Sequence, residues 1–339
     1  MVVLLRSARL CNRQQRQTGM EQLYKAMKYY FAPLEGLTDS IYRKLHHTYF
    51  PGIDRYYTPF LSPTVHRSLT PREAREIPPA DTLGYTCVPQ LLTKEPENFI
   101  WMARQCLQLG YGEVNLNLGC PSGTVTAKGK GAAMLEDPEA LDRFLDAIFG
   151  ADIPVSIKTR IGFHSADSFP KLMEVFNRYP IRELTVHPRV RDDFYKGALD
   201  MEVFAYALGS SKNPVCYNGN LCSLGQIRTL SAACPQLEAV MLGRGLIGDP
   251  GMLTPGGTKA ETLERFYDAL LEAYTEAFGG SRNAMFRLKE NWRHLLRRFE
   301  PCEKLGKRLR KTTNVAEYKA ITREIFHCVP LKDALDPDW

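Results

Sequence analysis

From Lys28 onward, short apolar runs of β character alternate with stretches whose apolar residues repeat at helical spacing. The runs fall at 29–32, 55–58, 86–91, 113–117, 154–159, 183–187, 214–217 and 238–242. Amphipathic segments lie between most of them. Two, 96–109 and 138–149, open on Pro96 and Pro138, and proline in the first turn is a helix-start signal. This alternation predicts an α/β fold with a parallel sheet and crossover helices. Eight such units over about 220 residues match a (β/α)8 TIM barrel, with an open doubly wound sheet as the alternative. Past Pro250 the texture changes. Pro255-Gly256-Gly257 reads as a loop, and the segments 260–278, 283–299, 303–310 and 315–326 are helical in pattern with no strand among them. The expected division is an N-terminal extension (1–27), a catalytic barrel (28–255) and a small all-helical C-terminal domain (256–339).

Composition narrows the class. The chain has 339 residues, 44% hydrophobic and 24% charged, which excludes a disordered or coiled-coil protein. No run approaches the about 18 apolar residues of a membrane span, so no membrane association is expected. Nine scattered cysteines without a C-x-x-C pair argue against a metal site or a disulfide framework and for reduced thiols in the cytoplasm. The net charge of +6 is unevenly placed. Residues 282–333 carry 14 Lys and Arg against 6 Asp and Glu, leaving the rest slightly negative. An anionic partner gripped by the C-terminal helices is the expectation, against a merely solvated helix face. Residues 1–20 hold Arg6, Arg9, Arg13 and Arg16 and no acid. A transit peptide has this composition, but a start assigned upstream of Met20 or Met27 fits better, because patterning begins only at Lys28.

In a barrel, reactive groups sit at the C-terminal ends of strands. Those ends here read Pro33-Leu34-Glu35, Gln90, Asn117-Leu118-Gly119-Cys120-Pro121, Lys158-Thr159-Arg160, His187-Pro188-Arg189, Asn218-Gly219-Asn220 and Gly243-Arg244-Gly245. Packing does not account for so many polar ends. Gly243 to Gly248 also fits G-x-G-x-x-G, but no strand follows to complete a dinucleotide-binding βαβ unit. A phosphate loop after the last barrel strands fits better. Cys87, Cys106, Cys216 and Cys234 read as structural, and His46, His47, His66, His164, His294 and His327 are given no role.

The segments APLEGLTDS (32–40), VPQL (88–91), NLGCPSGTVTAKGKGAAML (117–135), VSIKTR (155–160), TVHPR (185–189), NGN (218–220) and GRGLIGDP (243–250) together resemble the tRNA-dihydrouridine synthases, FMN-dependent reductases of uracil in tRNA. The resemblance spans the barrel and the helical tail. It implies that Cys120, in the N-x-G-C-P context, donates the proton to uracil C5 while the reduced flavin supplies hydride to C6. It places Pro33, Leu34, Gln90, Lys158 and His187 at the flavin ring, and Asn218, Gly219, Gly243 and Arg244 at its phosphate. Asn117 is expected to contact both flavin and uracil, and Arg189 to lie near the substrate uridine or the flavin, with Lys128, Lys130 and Tyr195 in loops facing the substrate. NADPH is the implied reductant. Leu34 stands where the family more often has Met, and Asn220 where it more often has Asp.

A thiol with a pKa of about 8.5 is mostly protonated at neutral pH and suits the acid role. A lysine at a strand end needs an anionic partner, which a reduced flavin provides. The helical domain accounts for the substrate. A target base must be unstacked from a folded tRNA, and RNA is gripped through phosphate contacts. Arg293, Arg297 and Arg298, with Arg287 and Lys289, share part of one helix face, and Arg308, Arg310 and Lys311 form a second cluster. A monomer is expected. Two other readings are a barrel flavoenzyme acting on a free pyrimidine, like a dihydroorotate dehydrogenase, and an RNA-binding module on a relic barrel.

Overall fold

The computed structural model describes residues 27–335, so the expected extension falls almost wholly outside the described residues. Nine short parallel strands form one sheet: β1 Lys28–Phe31, β2 Arg55–Tyr57, β3 Cys87–Val88, β4 Gln90–Leu91, β5 Val114–Leu118, β6 Val155–Arg160, β7 Leu184–His187, β8 Val215–Asn218 and β9 Ala239–Leu242. Their spatial order is β3-β2-β1-β9-β8-β7-β6-β5-β4. The two edges, β3 and β4, are one chain segment interrupted at Pro89, whose missing N–H cannot join a ladder. The single run expected at 86–91 is thus split in two, and the sheet closes on itself as an eight-staved barrel.

Helices surround it: α1 Ser40–Tyr49, α2 Pro71–Glu76, α3 Pro96–Gln108, α4 Gly123–Thr126, α5 Pro138–Phe149, α6 Phe169–Phe176, α7 Met201–Ser210, α8 Leu224–Ala233 and α9 Arg244–Gly248, with the short α4 and α9 at the rim where the strands end. Pro96 and Pro138 open α3 and α5 as expected, and Asp137 caps α5 by accepting from Glu139 and Ala140 N–H.

Strand side chains alternate between two cores. Phe31, Tyr56, Val114, Leu116, Leu118, Val155, Ile157, Leu184, Val186, Val240 and Leu242 face the helices. Tyr30, Ala32, Tyr57, Val88, Cys216, Ala239 and Met241 fill the barrel interior. A two-residue period therefore sends Asn115, Asn117, Ser156, Lys158, Arg160, Thr185, His187 and Asn218 inward, towards the axis.

Four helices follow: α10 Ala260–Phe278, α11 Ser281–Leu295, α12 Glu303–Lys311 and α13 Val315–Cys328. They pack against one side of the barrel. Phe266 of α10 meets Tyr42, His46 and Phe50 edge-on. Tyr274 and Arg287 both bond Asp39, the N-cap of α1, at 2.8 and 2.6 Å. The α11 helix also abuts α9, which begins the last strand-end loop. Among the described residues no helix is long and apolar enough to cross a membrane.

Candidate active site

A cavity of about 630 Å³ opens at the C-terminal end of the barrel. Its lining includes Pro33, Leu34, Gln90, Asn117, Cys120, Lys158, His187, Asn218, Gly219, Gly243 and Arg244, side chains and turns from seven different strand ends. Register accounts for their meeting. Asn117 is level with Lys158, Arg160 with His187, and Asn218 with Met241.

The floor is a chain of hydrogen bonds. Asn117 Nδ2 donates to Gln90 Oε1 at 2.7 Å, Gln90 Nε2 to Asn115 Oδ1 at 2.8 Å, and Asn115 Nδ2 to Ser156 Oγ at 3.0 Å. With these amides occupied, each one's orientation is set by its neighbour. Asn117 Oδ1 also accepts from the N–H groups of Gly119 and Cys120, at 3.0 and 2.9 Å. One asparagine therefore orients both the floor and the cysteine loop.

The Cys120 thiol is half-buried, and burial pushes its pKa upward while nearby Arg160 and Lys158 pull it back. It is a protonated thiol at neutral pH. Lys158 is half-buried too, and burial followed by the charge of Arg160 lowers its pKa to about 8. Among the described residues no carboxylate lies within ion-pair distance of it. Burial and the cations Lys158, Arg160, Arg189 and Arg244 hold His187 well below its ordinary pKa, so it is neutral. Arg189 Nη1 lies 3.3 Å from His187 Nε2. A guanidinium only donates, so that nitrogen accepts and the imidazole proton sits on Nδ1.

The mouth is cationic. Lys158, Arg160 and Arg244 line it, against one lining carboxylate, Glu35. The ring of Tyr195 is flanked by Arg160 and Arg244 at 5.5 and 4.9 Å and lies over His187. Gly219 and Gly245 permit close approach in the last two loops. A Cβ on Gly245 would lie 2.2 Å from the Leu221 carbonyl oxygen, and one on Gly219 would lie 2.8 Å from Leu199.

Several expected residues are placed differently. Arg189 is buried behind the wall, not at a substrate surface. It donates to Gly197 O at 2.6 Å and to Asn220 Oδ1 at 3.2 Å. Asn220 has a left-handed backbone (φ 40°), which asparagine tolerates, and its one oxygen also accepts from Arg244 at 3.0 Å. The neutral residue at 220 thus bridges two cations without neutralising either.

Arg298 is also a correction. It is buried, with Nε 3.1 Å from the buried carboxylate of Asp249, so it fastens the 3-10 turn after α11 to the end of α9 and lies away from the exposed surface. Helical spacing put it on the basic stripe, but the barrel covers that part of the stripe. Lys289 donates to the Arg310 carbonyl at 3.0 Å, at the end of α12, and Arg287 is spent on Asp39. Arg293 is exposed and Arg297 half-buried, both along a groove on the helical region. Lys128 is exposed, and Lys130 bonds Ser62; neither lines the cavity.

Among the cavity residues without an assigned role in the sequence are two that carry charge or a titratable ring. Arg160 stood among the strand-end residues without a role; it donates to the carbonyls of Gly119, Val190 and Phe194. The other is His294 of α11, which carried no sequence signal because a helix from outside the barrel delivers it. Among the described residues no group of three or more His, Cys, Asp or Glu is arranged to hold a metal ion.

Comparison with known proteins agrees with this geometry. The family model described as dihydrouridine synthase matches residues 30–330. A tRNA-dihydrouridine(16) synthase of Shigella flexneri is 29% identical over 238 residues, covering 67% of this chain and 74% of that one. One from Pseudomonas putida is 31% identical over 238 residues (67% and 72%). A third, from Neisseria meningitidis serogroup B, is 26% identical over 314 residues, spanning 86% of this chain and 93% of its own. With the family pattern running through both the barrel and the helices behind it, the chain belongs to the dihydrouridine synthase family.

Proposed function

We propose that the protein reduces the C5–C6 bond of uridine in tRNA to 5,6-dihydrouridine, with FMN as bound cofactor and NADPH as reductant. The observation that carries this reading is the convergence of one protonated thiol, Cys120, and an uncompensated half-buried cation, Lys158, on a single barrel-mouth cavity.

The residues present suit a flavin mononucleotide. Lys158 lacks an anionic partner and would sit against the electron-rich edge of the ring, with His187 and Gln90 beside it. Asn218, Gly219, Gly243 and Arg244 would hold the phosphate where the cationic mouth and the glycine turns meet. Pro33 and Leu34 supply an apolar edge. Bound there, FMN would deliver hydride to uracil C6.

Cys120 supplies the proton that C5 then needs. Its raised pKa keeps it loaded at neutral pH, and Arg160 and Lys158 lower the cost of the thiolate left behind. Asn117 holds the Cys120 loop and faces the same space, so it is the fitting contact for the uracil edge. Arg189 acts through His187 and Asn220 and not by touching substrate. Such a thiol must stay reduced, which suits the cytoplasm.

The cations along the groove of the helical region, exposed Arg293 and half-buried Arg297 foremost, would contact tRNA phosphates beside the mouth. The chain acts as a monomer in this reading. The deciding experiment incubates purified protein with unmodified tRNA, FMN and NADPH and maps dihydrouridine by position. Dihydrouridine at a defined uridine is the expected result. Reduction of a free pyrimidine with no product in tRNA would establish the small-molecule alternative, and a colourless protein that takes up no flavin would refute both.

A further inference from the structure

The loop that carries Cys120 is held from outside the cavity as well as from within. The Gly119 carbonyl accepts from Arg160 Nε at 2.9 Å, and the Cys120 carbonyl accepts from Ala132 N–H at 3.2 Å. The next carbonyl, that of Pro121, accepts from Arg191 Nε at 3.2 Å, and Arg191 Nη2 donates to Thr126 Oγ1 at 3.1 Å. Arg191 does not line the cavity. Its guanidinium lies near the rings of Phe163 and Phe194, at 4.9 and 5.2 Å, and pairs with Asp192 at 3.0 Å. Its own N–H donates to the Gly162 carbonyl at 3.0 Å. One residue thus joins the loops that follow β5, β6 and β7.

We propose that Arg191 is a positioning residue for the Cys120 thiol, anchoring the peptide that follows the cysteine so that Sγ keeps one direction into the cavity. The proposal rests on Cys120 being the proton donor. Asn117 and Arg160 hold the loop before the cysteine. Without Arg191 the Pro121 carbonyl loses this anchor, the Ala132 N–H bond at the Cys120 carbonyl is left to hold that side, and the thiol direction loosens with it. Proton transfer requires donor and acceptor within about 2.6–3.2 Å, so a shift of this kind falls on the transfer step. The task needs arginine. Two N–H groups of one rigid fork reach Pro121 O and Thr126 Oγ1, while a third faces Asp192; a lysine ammonium presents no such fork.

The test compares Arg191→Ala, Arg191→Lys and Thr126→Val with the wild type and with Cys120→Ala. Two readouts are taken on the purified holoprotein: kcat for dihydrouridine formation in tRNA, and the rate at which iodoacetamide alkylates Cys120, followed on its own peptide. For Arg191→Ala, kcat is expected to fall by about tenfold or more, with KM for tRNA and the rate of flavin reduction by NADPH unchanged. Its Cys120 alkylation should speed up several-fold, a change that a merely structural residue elsewhere would not produce. Thr126→Val should shift both readouts the same way and less far, and Arg191→Lys should recover part of the loss.

Wild-type kcat in Arg191→Ala beside an inactive Cys120→Ala overturns the positioning role alone. So does a fall in kcat with unchanged alkylation of Cys120. If Cys120→Ala itself turns over normally, the proton-donor reading fails instead. Should Arg191→Ala not fold, Arg191→Lys and Thr126→Val decide, and wild-type behaviour of both readouts in both variants overturns the proposal.

Discussion

Lys158 offers the sharpest quantitative test of an anionic ligand in the barrel mouth. Its ammonium is half-buried beside Arg160, and its pKa falls from 10.5 to about 8. Without a ligand, the site therefore begins to lose this proton just above physiological pH. An anionic ring edge against Nζ favours the charged form and returns the bound pKa towards the ordinary lysine value. Binding above pH 8 then requires proton uptake. Flavin affinity should be flat below about pH 7 and fall by about tenfold between pH 7 and 9, steepening towards tenfold per unit. The apoprotein should show the complementary trend. Its unfolded state holds this proton more tightly, so stability from this group rises as pH climbs from about 8 towards 10.5. Fluorescence titration of FMN from pH 6.5 to 9.5 is the assay. Lys158→Met keeps the side-chain length and removes the charge; it should bind more weakly at pH 7 and lose the slope. A wild-type affinity that does not change over this range, or a slope that survives in Lys158→Met, would show that no anion sits at Nζ.

Other outcomes follow from the same geometry. Cys120→Ala should bind flavin and tRNA normally and still oxidise NADPH through the flavin, but form no dihydrouridine; normal turnover would contradict the acid role. Arg298→Ala strands the buried Asp249 carboxylate and should cost about 3–5 kcal/mol in urea unfolding, with Arg298→Met plus Asp249→Asn recovering most of it. A loss under about 1 kcal/mol would mean the pair is solvated. Glu183 is buried with its pKa raised to about 7 by desolvation, and Tyr30 donates to it at 2.9 Å. A raised acid loses stability as pH rises from its unfolded value through 7, so Glu183→Gln should be more stable at pH 8 by about 3 kcal/mol and show no gain near pH 4.5. Reversing Arg293 and Arg297 to Glu should weaken tRNA binding and flatten its log–log salt dependence, by about one in slope for each phosphate no longer neutralised, while flavin reduction by NADPH stays at the wild-type rate.

The barrel was legible because strands and helices have different periods, and the sequence keeps them apart from Lys28 to Pro250. Once eight β runs are counted, the period of two decides which residues point inward, and Asn117, Lys158, His187 and Asn218 meet without further information. Cys120 was legible because it follows such a strand end within a glycine and proline turn. Pro89 could have announced the break in the third stave, since its missing N–H is a property of the residue alone.

Other roles belong to the tertiary structure. The basic run from Arg287 to Lys311 looks uniform along two successive helical segments, yet Arg287 is consumed by Asp39 at the cap of the first barrel helix, Lys289 by the end of α12, and Arg298 by Asp249. Helical spacing defines a face; which part of that face is covered depends on partners far away in the chain. The same holds for Arg160, Arg189 and Arg191. Their work is done on backbone carbonyls and on side chains of other loops, and a carbonyl carries no residue identity for a sequence to display. Local periodicity thus determined where the chemistry is, and long-range packing decided which cations serve it and which only hold it in place.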